Sequence, residues 1–248
     1  MKIEQYGATD IGNIRKMNQD GWLMKQTQSK GNHFVMAVIC DGMGGTNRGD
    51  VARDLTLEQF GYWWDAIVSG IDLIDERSFA AINRSAELLL GKINDKICEF
   101  IDSTGQTTGT TLSMMFLINK SFFIKHIGDS RIYSVQQQQL LQLTEDQAVE
   151  KLNPKTGRMK RYIVNCLGFR RYKGSETIEG ELTGEAVFLL TTDGLHEFID
   201  EDWFEKQVLP LEHKFSKHKK VVERLFNKVK SGQAPDNMTI LAFRVGGI

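Results

Sequence analysis

Apolar residues in this chain fall into short runs that end at acidic and glycine-rich turns, with longer stretches of helical spacing between them. Residues 34–40 form a run too short for a typical helix and rich in strand formers. It predicts a buried strand that delivers Asp41 into the turn Gly42-Met43-Gly44-Gly45. Residues 121–127 lead likewise into Gly128-Asp129-Ser130-Arg131, residues 186–192 lead into Asp193-Gly194, and Asp236-Asn237 opens the run 238–243.

The remaining pattern fills in around these runs. Residues 2–9 predict a first strand, and residues 12–20 a connection carrying Arg15, Asn18, Gln19 and Asp20. Residues 25–32 read as a polar loop before the Asp41 strand. Val51, Leu55, Leu57, Phe60 and Trp64 suit a helix over 50–64; Phe79, Ile82, Ala86, Leu89, Ile93, Ile97 and Ile101 suit a longer one over 76–101. From 107 to 119 the period changes: Thr110, Leu112, Met114, Phe116 and Ile118 alternate as in a half-buried strand. Strands at 122–127, 132–135 and 140–143 are joined too closely for a crossover helix, so antiparallel pairing is expected, with 136–139 as a hairpin tip. Strands resume at 177–182 and 186–192. Phe215, Val222, Leu225, Phe226 and Val229 form a helical stripe, followed by a loop at 231–235 and a last strand. The class expected is α+β, one compact sandwich with helices beyond each sheet.

Composition narrows the function classes. A length of 248 residues suits one domain, or at most two. A net charge of −1 gives no drive toward a polyanion, so no nucleic-acid partner is expected. The start Met1-Lys2-Ile3-Glu4 lacks a signal peptide's apolar core, and no run of about 18 apolar residues is present, which predicts a cytoplasmic protein without a membrane partner. Cys40, Cys98 and Cys166 are odd in number and widely spaced, and are expected to be reduced core residues.

The candidate chemistry lies at the strand ends. Asp41 and the Gly42 carbonyl together offer oxygen ligands of the kind a hard divalent cation requires. A single Asp-Gly pair is also a common turn. Four aspartates, Asp41, Asp129, Asp193 and Asp236, share this placement and would meet at one rim of a sandwich; four separate turns would give the same spacing. Between residues 153 and 173 there are seven basic residues and no acidic ones: Lys155, Arg158, Lys160, Arg161, Arg170, Arg171 and Lys173. They suit either attraction of a phosphorylated substrate or a solvated surface.

Taken in order, the motifs resemble those of the PP2C (PPM) family of metal-dependent serine/threonine protein phosphatases, in its bacterial form. Arg15-Lys16-Met17-Asn18-Gln19-Asp20 resembles the family's opening motif, and Asp41-Gly42-Met43-Gly44-Gly45 its Asp-Gly-x-Gly-Gly. Gly109-Thr110-Thr111, Gly128-Asp129-Ser130-Arg131, Leu143-Thr144-Glu145-Asp146, Thr192-Asp193-Gly194-Leu195 and Asp236-Asn237-Met238-Thr239 follow in the family's order. The resemblance implies a four-layer αββα sandwich, residues 1–248 as one domain, and 153–175 as the family's variable flap.

It also implies two Mn2+ or Mg2+ ions at one end of the sandwich. Asp41 would bridge them, the Gly42 carbonyl would bind one, and Asp193 and Asp236 would bind the other, with Asp20 acting from behind. Asp129 and Glu197 would help hold a third, weaker ion, Glu197 standing where many relatives have Asp. Arg15 would clamp the phosphate, since a guanidinium can hold two oxygens at once. Two departures stand out: Gln19 replaces a metal-binding Glu of many relatives, and Met43, which cannot transfer a proton, stands where eukaryotic members usually have His. His126 and His196 lie beside motif residues as candidate proton donors, though a lone histidine is more often structural.

The implied reaction is hydrolysis of phosphoserine and phosphothreonine on proteins by direct attack of a water held between the two ions, without a phosphoenzyme. The expected partners are phosphoprotein substrates and an opposing bacterial serine/threonine kinase, with the phosphatase a monomer. Two alternatives are a phosphoprotein-binding scaffold of little or no turnover and a small-molecule phosphoesterase. No Gly-x-x-x-x-Gly-Lys nucleotide loop is present to favour the latter.

Overall fold

The computed structural model describes residues 1–44, 48–70, 75–152, 157 and 159–247, with the backbone alone at Lys160. One antiparallel sheet has the order β1 (Lys2–Asp10), β13 (Met238–Gly246), β12 (Ala186–Thr191), β7 (Arg131–Gln136), β8 (Gln139–Gln142). The other runs β11 (Glu176–Glu181), β6 (Ser121–Ile127), β5 (Leu112–Ile118), β3 (Asn32–Met43), β2 (Asp20–Ser29), with the short β4 (Gly109–Thr110) on the end of β3. A separate ribbon pairs β9 (Ala148–Leu152) with β10 (Met159–Ile163).

The continuous apolar run of β3 follows from burial on both faces. Phe34, Met36, Val38 and Cys40 face α1 (Gly49–Gly70) and α2 (Glu76–Thr104), meeting Phe60, Trp63, Leu90 and Ile93. Val35, Ala37 and Ile39 point the other way, into a layer shared with Phe188, Leu190, Leu241 and Phe243 of the opposite sheet. Beyond that sheet, Val187, Leu189 and Ile240 pack on α4 (Glu201–Val208) and α5 (His218–Lys230) through Phe204, Val208, Val222 and Leu225. Three apolar layers thus separate helix, sheet, sheet and helix, the αββα sandwich expected. Among the described residues no helix is long and apolar enough to cross a membrane. All three cysteines are free, Cys40 and Cys166 buried and Cys98 partly so.

Several local expectations need correction. Residues 25–29 are strand, not loop: Gln26 and Gln28 face solvent on the edge strand β2, and only Lys30 and Gly31, both at positive φ, make the turn. The half-buried strand over 107–119 breaks into β4 and β5, and all seven residues of β5 are buried because both faces are covered. The basic stretch does not simply interrupt the strands, since β10 lies within it; Asn153, Lys155 and Arg158 fall outside the described residues, as does Gly45. Both helices run past the ends expected for them, and α4 was not expected at all, although Asp200 caps it by accepting from the Trp203 N–H at 2.9 Å. The glutamine tip is a two-residue turn at Gln137 and Gln138, both at positive φ, whose N–H groups donate to the Glu212 carboxylate at 2.6 and 2.9 Å.

Candidate metal centre

Strand register brings the carboxylates together. Asp20 opens β2 directly across from Asp41 on β3. On the facing sheet, β12 runs out into α3 (Asp193–His196) beside the start of β13, where Asp236 and Asn237 lie, and the Thr192 N–H donates to the Thr239 carbonyl at 3.1 Å. Close backbone approach explains the glycines that follow Asp41 and Asp193. A Cβ on Gly42 would fall 2.3 Å from the Gly49 carbonyl oxygen, and one on Gly194 would fall 2.0 Å from that of Asn237.

Hydroxyls and one amide then fasten the two sheets at this rim. Thr192 and Thr239 donate to the same Asp20 oxygen, Oδ2, at 2.7 and 2.8 Å. Asn237 pins the 11–19 connection that carries Arg15: its Oδ1 accepts from the Gln19 N–H at 2.8 Å, and its Nδ2 donates to the Ile11 and Met17 carbonyls. Asp41 is held through its backbone by Thr110 and Thr111, whose hydroxyls bond its carbonyl and its N–H, each at 3.0 Å. Threonine and asparagine carry out this positioning, and sequence reading assigned them no role although each lies inside a motif.

Electrostatics mark the rim as a place for added positive charge. Burial, and then Asp193, Asp20, Asp236 and Asp129, push the Asp41 carboxyl well above the usual carboxylate range. Burial together with Asp129, Asp236 and Glu197 pushes Asp193 up to about 8, and burial pushes Asp20 up to about 6 despite its two threonine donors. Arg15, half exposed, bonds Asp236 Oδ2 through Nη2, and that contact raises the guanidinium further. Asp129, Asp193 and Glu197 each offer a carboxylate oxygen, all within 4.8 Å of one another. Asp129 Oδ1 and Asp193 Oδ1 are buried without a hydrogen-bond partner. An all-oxygen donor set with orphaned, mutually repelling carboxylates fits Mg2+ or Mn2+.

The predicted residues therefore assemble unevenly. Asp20, Asp41, Asp193 and Asp236 converge with Arg15 and the Gly42 backbone, and Asp129 and Glu197 bring carboxylate oxygens within 4.8 Å of Asp193. Gln19 takes part through its backbone, its carbonyl accepting from the Gly42 N–H at 3.1 Å, while its buried Nε2 has no partner. Met43 lies on β3 opposite Gly109. Neither histidine is a ready donor. Burial pushes His126 down to about 4 and His196 down to about 3; His126 bonds Ser113 and the Glu145 carbonyl, and His196 bonds Thr191.

One residue of the basic stretch was not singled out in advance. Arg161 on β10 reaches the rim, its Nε 3.0 Å from Glu197 Oε1 and 3.4 Å from Asp129 Oδ2, and its Nη2 on Asp146 Oδ2. Its only advance signal was membership of a run of seven basic residues.

Compared with known proteins, residues 14–239 match the family model described as Protein phosphatase 2C. The chain is 25% identical over 245 residues to the serine/threonine phosphatase stp of Listeria monocytogenes, covering 94% of this chain and 92% of that protein. It is 30% identical over 159 residues to protein phosphatase PhpP of Streptococcus pneumoniae, 61% of this chain and 58% of that one. Among solved structures, the serine/threonine phosphatase of S. agalactiae superposes with a TM-score of 0.78 at 20% identity, covering 98% of this chain and 99% of that one. The catalytic domain of PstP, in complex with two manganese ions, does so with a TM-score of 0.71 at 20% identity, covering 98% of each chain.

Proposed function

The chain belongs to the protein phosphatase 2C family and is a serine/threonine protein phosphatase, and from that premise we propose that it works through two Mn2+ or Mg2+ ions and opposes a bacterial serine/threonine kinase. The observation that carries this reading is the convergence, from both sheets, of the buried Asp20 and the partly buried Asp41 and Asp193, carboxylates whose charges the surrounding protein leaves largely unanswered. Divalent ions bound there would supply Lewis-acid polarisation of the phosphoryl group and a nucleophilic water at neutral pH.

The chain's own residues have separable tasks. Asp41, the Gly42 carbonyl, Asp193 and Asp236 would hold the two ions. Asp20, fixed by Thr192 and Thr239, keeps the Asp41 strand and the Asp193 turn at constant separation. Asp129 and Glu197 would hold a third, weaker ion. Arg15 receives the substrate phosphate: half of its side chain is exposed, and its fork has donors beyond the one on Asp236. Asn237 fixes where Arg15 stands by tying down both carbonyls that flank it in the connection. Residues 1–248 act as one domain, with 153–175 as a flap.

Release of inorganic phosphate from a phosphothreonine peptide, with Mn2+ or Mg2+ titrated in and a chelator control, tests the proposal. Metal-dependent release that Asp41→Ala abolishes is expected. Folded protein that releases none under either metal would favour a scaffold, and faster release from nucleotides than from phosphopeptides would favour a small-molecule phosphoesterase.

A further inference from the structure

The guanidinium of Arg161 stands where the reading above would put a cation. Asp129, Asp193 and Glu197 turn carboxylate oxygens toward one another within 4.8 Å, and Arg161 Nε lies on two of these three groups, Glu197 at 3.0 Å and Asp129 at 3.4 Å. Its seat is charge-matched without being well bonded. Arg161 Nε makes no aligned hydrogen bond, and Asp129, only 2% exposed, keeps Oδ1 without a partner. The other end of the guanidinium is anchored differently: Nη2 bonds Asp146, which Arg131 holds through three contacts, Nε to Oδ1 at 2.9 Å and to Oδ2 at 3.1 Å, and Nη2 to Oδ2 at 2.7 Å.

From this arrangement we propose that Arg161 is a built-in counter-cation that competes with a divalent ion for the Asp129 and Glu197 carboxylates. The inference rests on the metal reading of those two residues. A monovalent guanidinium and a divalent ion cannot share the same oxygens, so each weakens the other by the same factor. Arg161 belongs to the β9–β10 ribbon, whose strands pair with each other and, among the described residues, with no other strand, whereas Asp129 and Glu197 belong to the sandwich. Loading of the third position is therefore coupled to release of the ribbon, with the Arg131–Asp146 pair, which stays on the sandwich side, as the anchor that Arg161 retains or leaves.

Mn2+ binding by the full chain, measured by calorimetry and equilibrium dialysis, tests this without reference to turnover. In Arg161→Gln the weakest Mn2+ site is expected to tighten by about 5- to 50-fold, while the tighter sites stay as they are. Arg161→Lys, which keeps the charge but loses the planar fork, is expected to fall between the two and serves if the glutamine variant folds poorly. In the native chain, hydrogen exchange at β9 and β10 should accelerate only as the weakest site fills. An equal weakest-site affinity in native and variant chains overturns the competition, as does binding that stops at two ions in both. A native chain that binds no Mn2+ overturns the metal reading itself, so the two failures are distinguishable.

Discussion

Asp146 and the carboxylates of the metal centre are treated in opposite ways. Asp146 is met by two guanidinia, and although burial works against it, Arg131 and Arg161 hold its carboxyl below the usual range. Asp41 and Asp193 are met by each other and by further aspartates, and are pushed up. Where the fold uses a carboxylate as a structural tie it supplies the cation internally. Where it leaves several carboxylates, partly or wholly out of water, to repel one another, it holds them in a state that an added cation relieves, the mark of a functional rather than a structural site.

Substitutions separate the two groups most sharply. Asp193→Asn should lower phosphopeptide turnover by on the order of 10²- to 10³-fold or more, yet leave thermal stability in chelator unchanged or higher, because it removes a repelling charge. Loss of stability with retained turnover would erase the distinction. Asp146→Asn should do the reverse: urea unfolding is expected to show a loss of about 2–3 kcal/mol, since two partly buried arginines lose their charged acceptor. An unchanged midpoint would mean that Asp146 is not a tie.

Smaller effects sharpen the same contrast. Arg15→Ala should raise the KM for phosphopeptides by about tenfold with a lesser change in kcat, because the clamp acts on bound phosphate. An unaltered KM would move the clamp elsewhere. His126 tests the structural side. Burial holds it near 4 in the folded chain, against about 6.5 when unfolded, so only the unfolded chain takes up its proton between those values. Its contribution is complete above pH 6.5 and is lost on acidification, by up to about 1.4 kcal/mol per pH unit. Unfolding curves at pH 7 and 5.5 should show that His126→Asn loses less stability on acidification than the native chain; equal losses would contradict the assignment.

Legibility in the sequence followed the range of the interactions. Runs such as 34–40 and 186–192 announced strands because burial on both faces needs only local composition, and the aspartates at their ends inherited a shared rim from that. The fasteners were not legible. Thr192 and Thr239 reach Asp20 across 172 and 219 residues, and no periodicity encodes such a bond. β2 was hidden by the polar side chains an edge strand tolerates, and the β9–β10 ribbon by its exposed, charged faces. Arg161 differed from its basic neighbours only in where the ribbon carries it, which is a tertiary fact.

Anomalous diffraction at the manganese edge, from crystals of the full chain grown with Mn2+, tests the central claim most directly. The account predicts two strong peaks among the carboxylates of Asp41, Asp193 and Asp236, with any third and weaker peak beside Asp129 and Glu197. Well-ordered crystals with no peak at this rim, or with manganese bound only elsewhere, would contradict it.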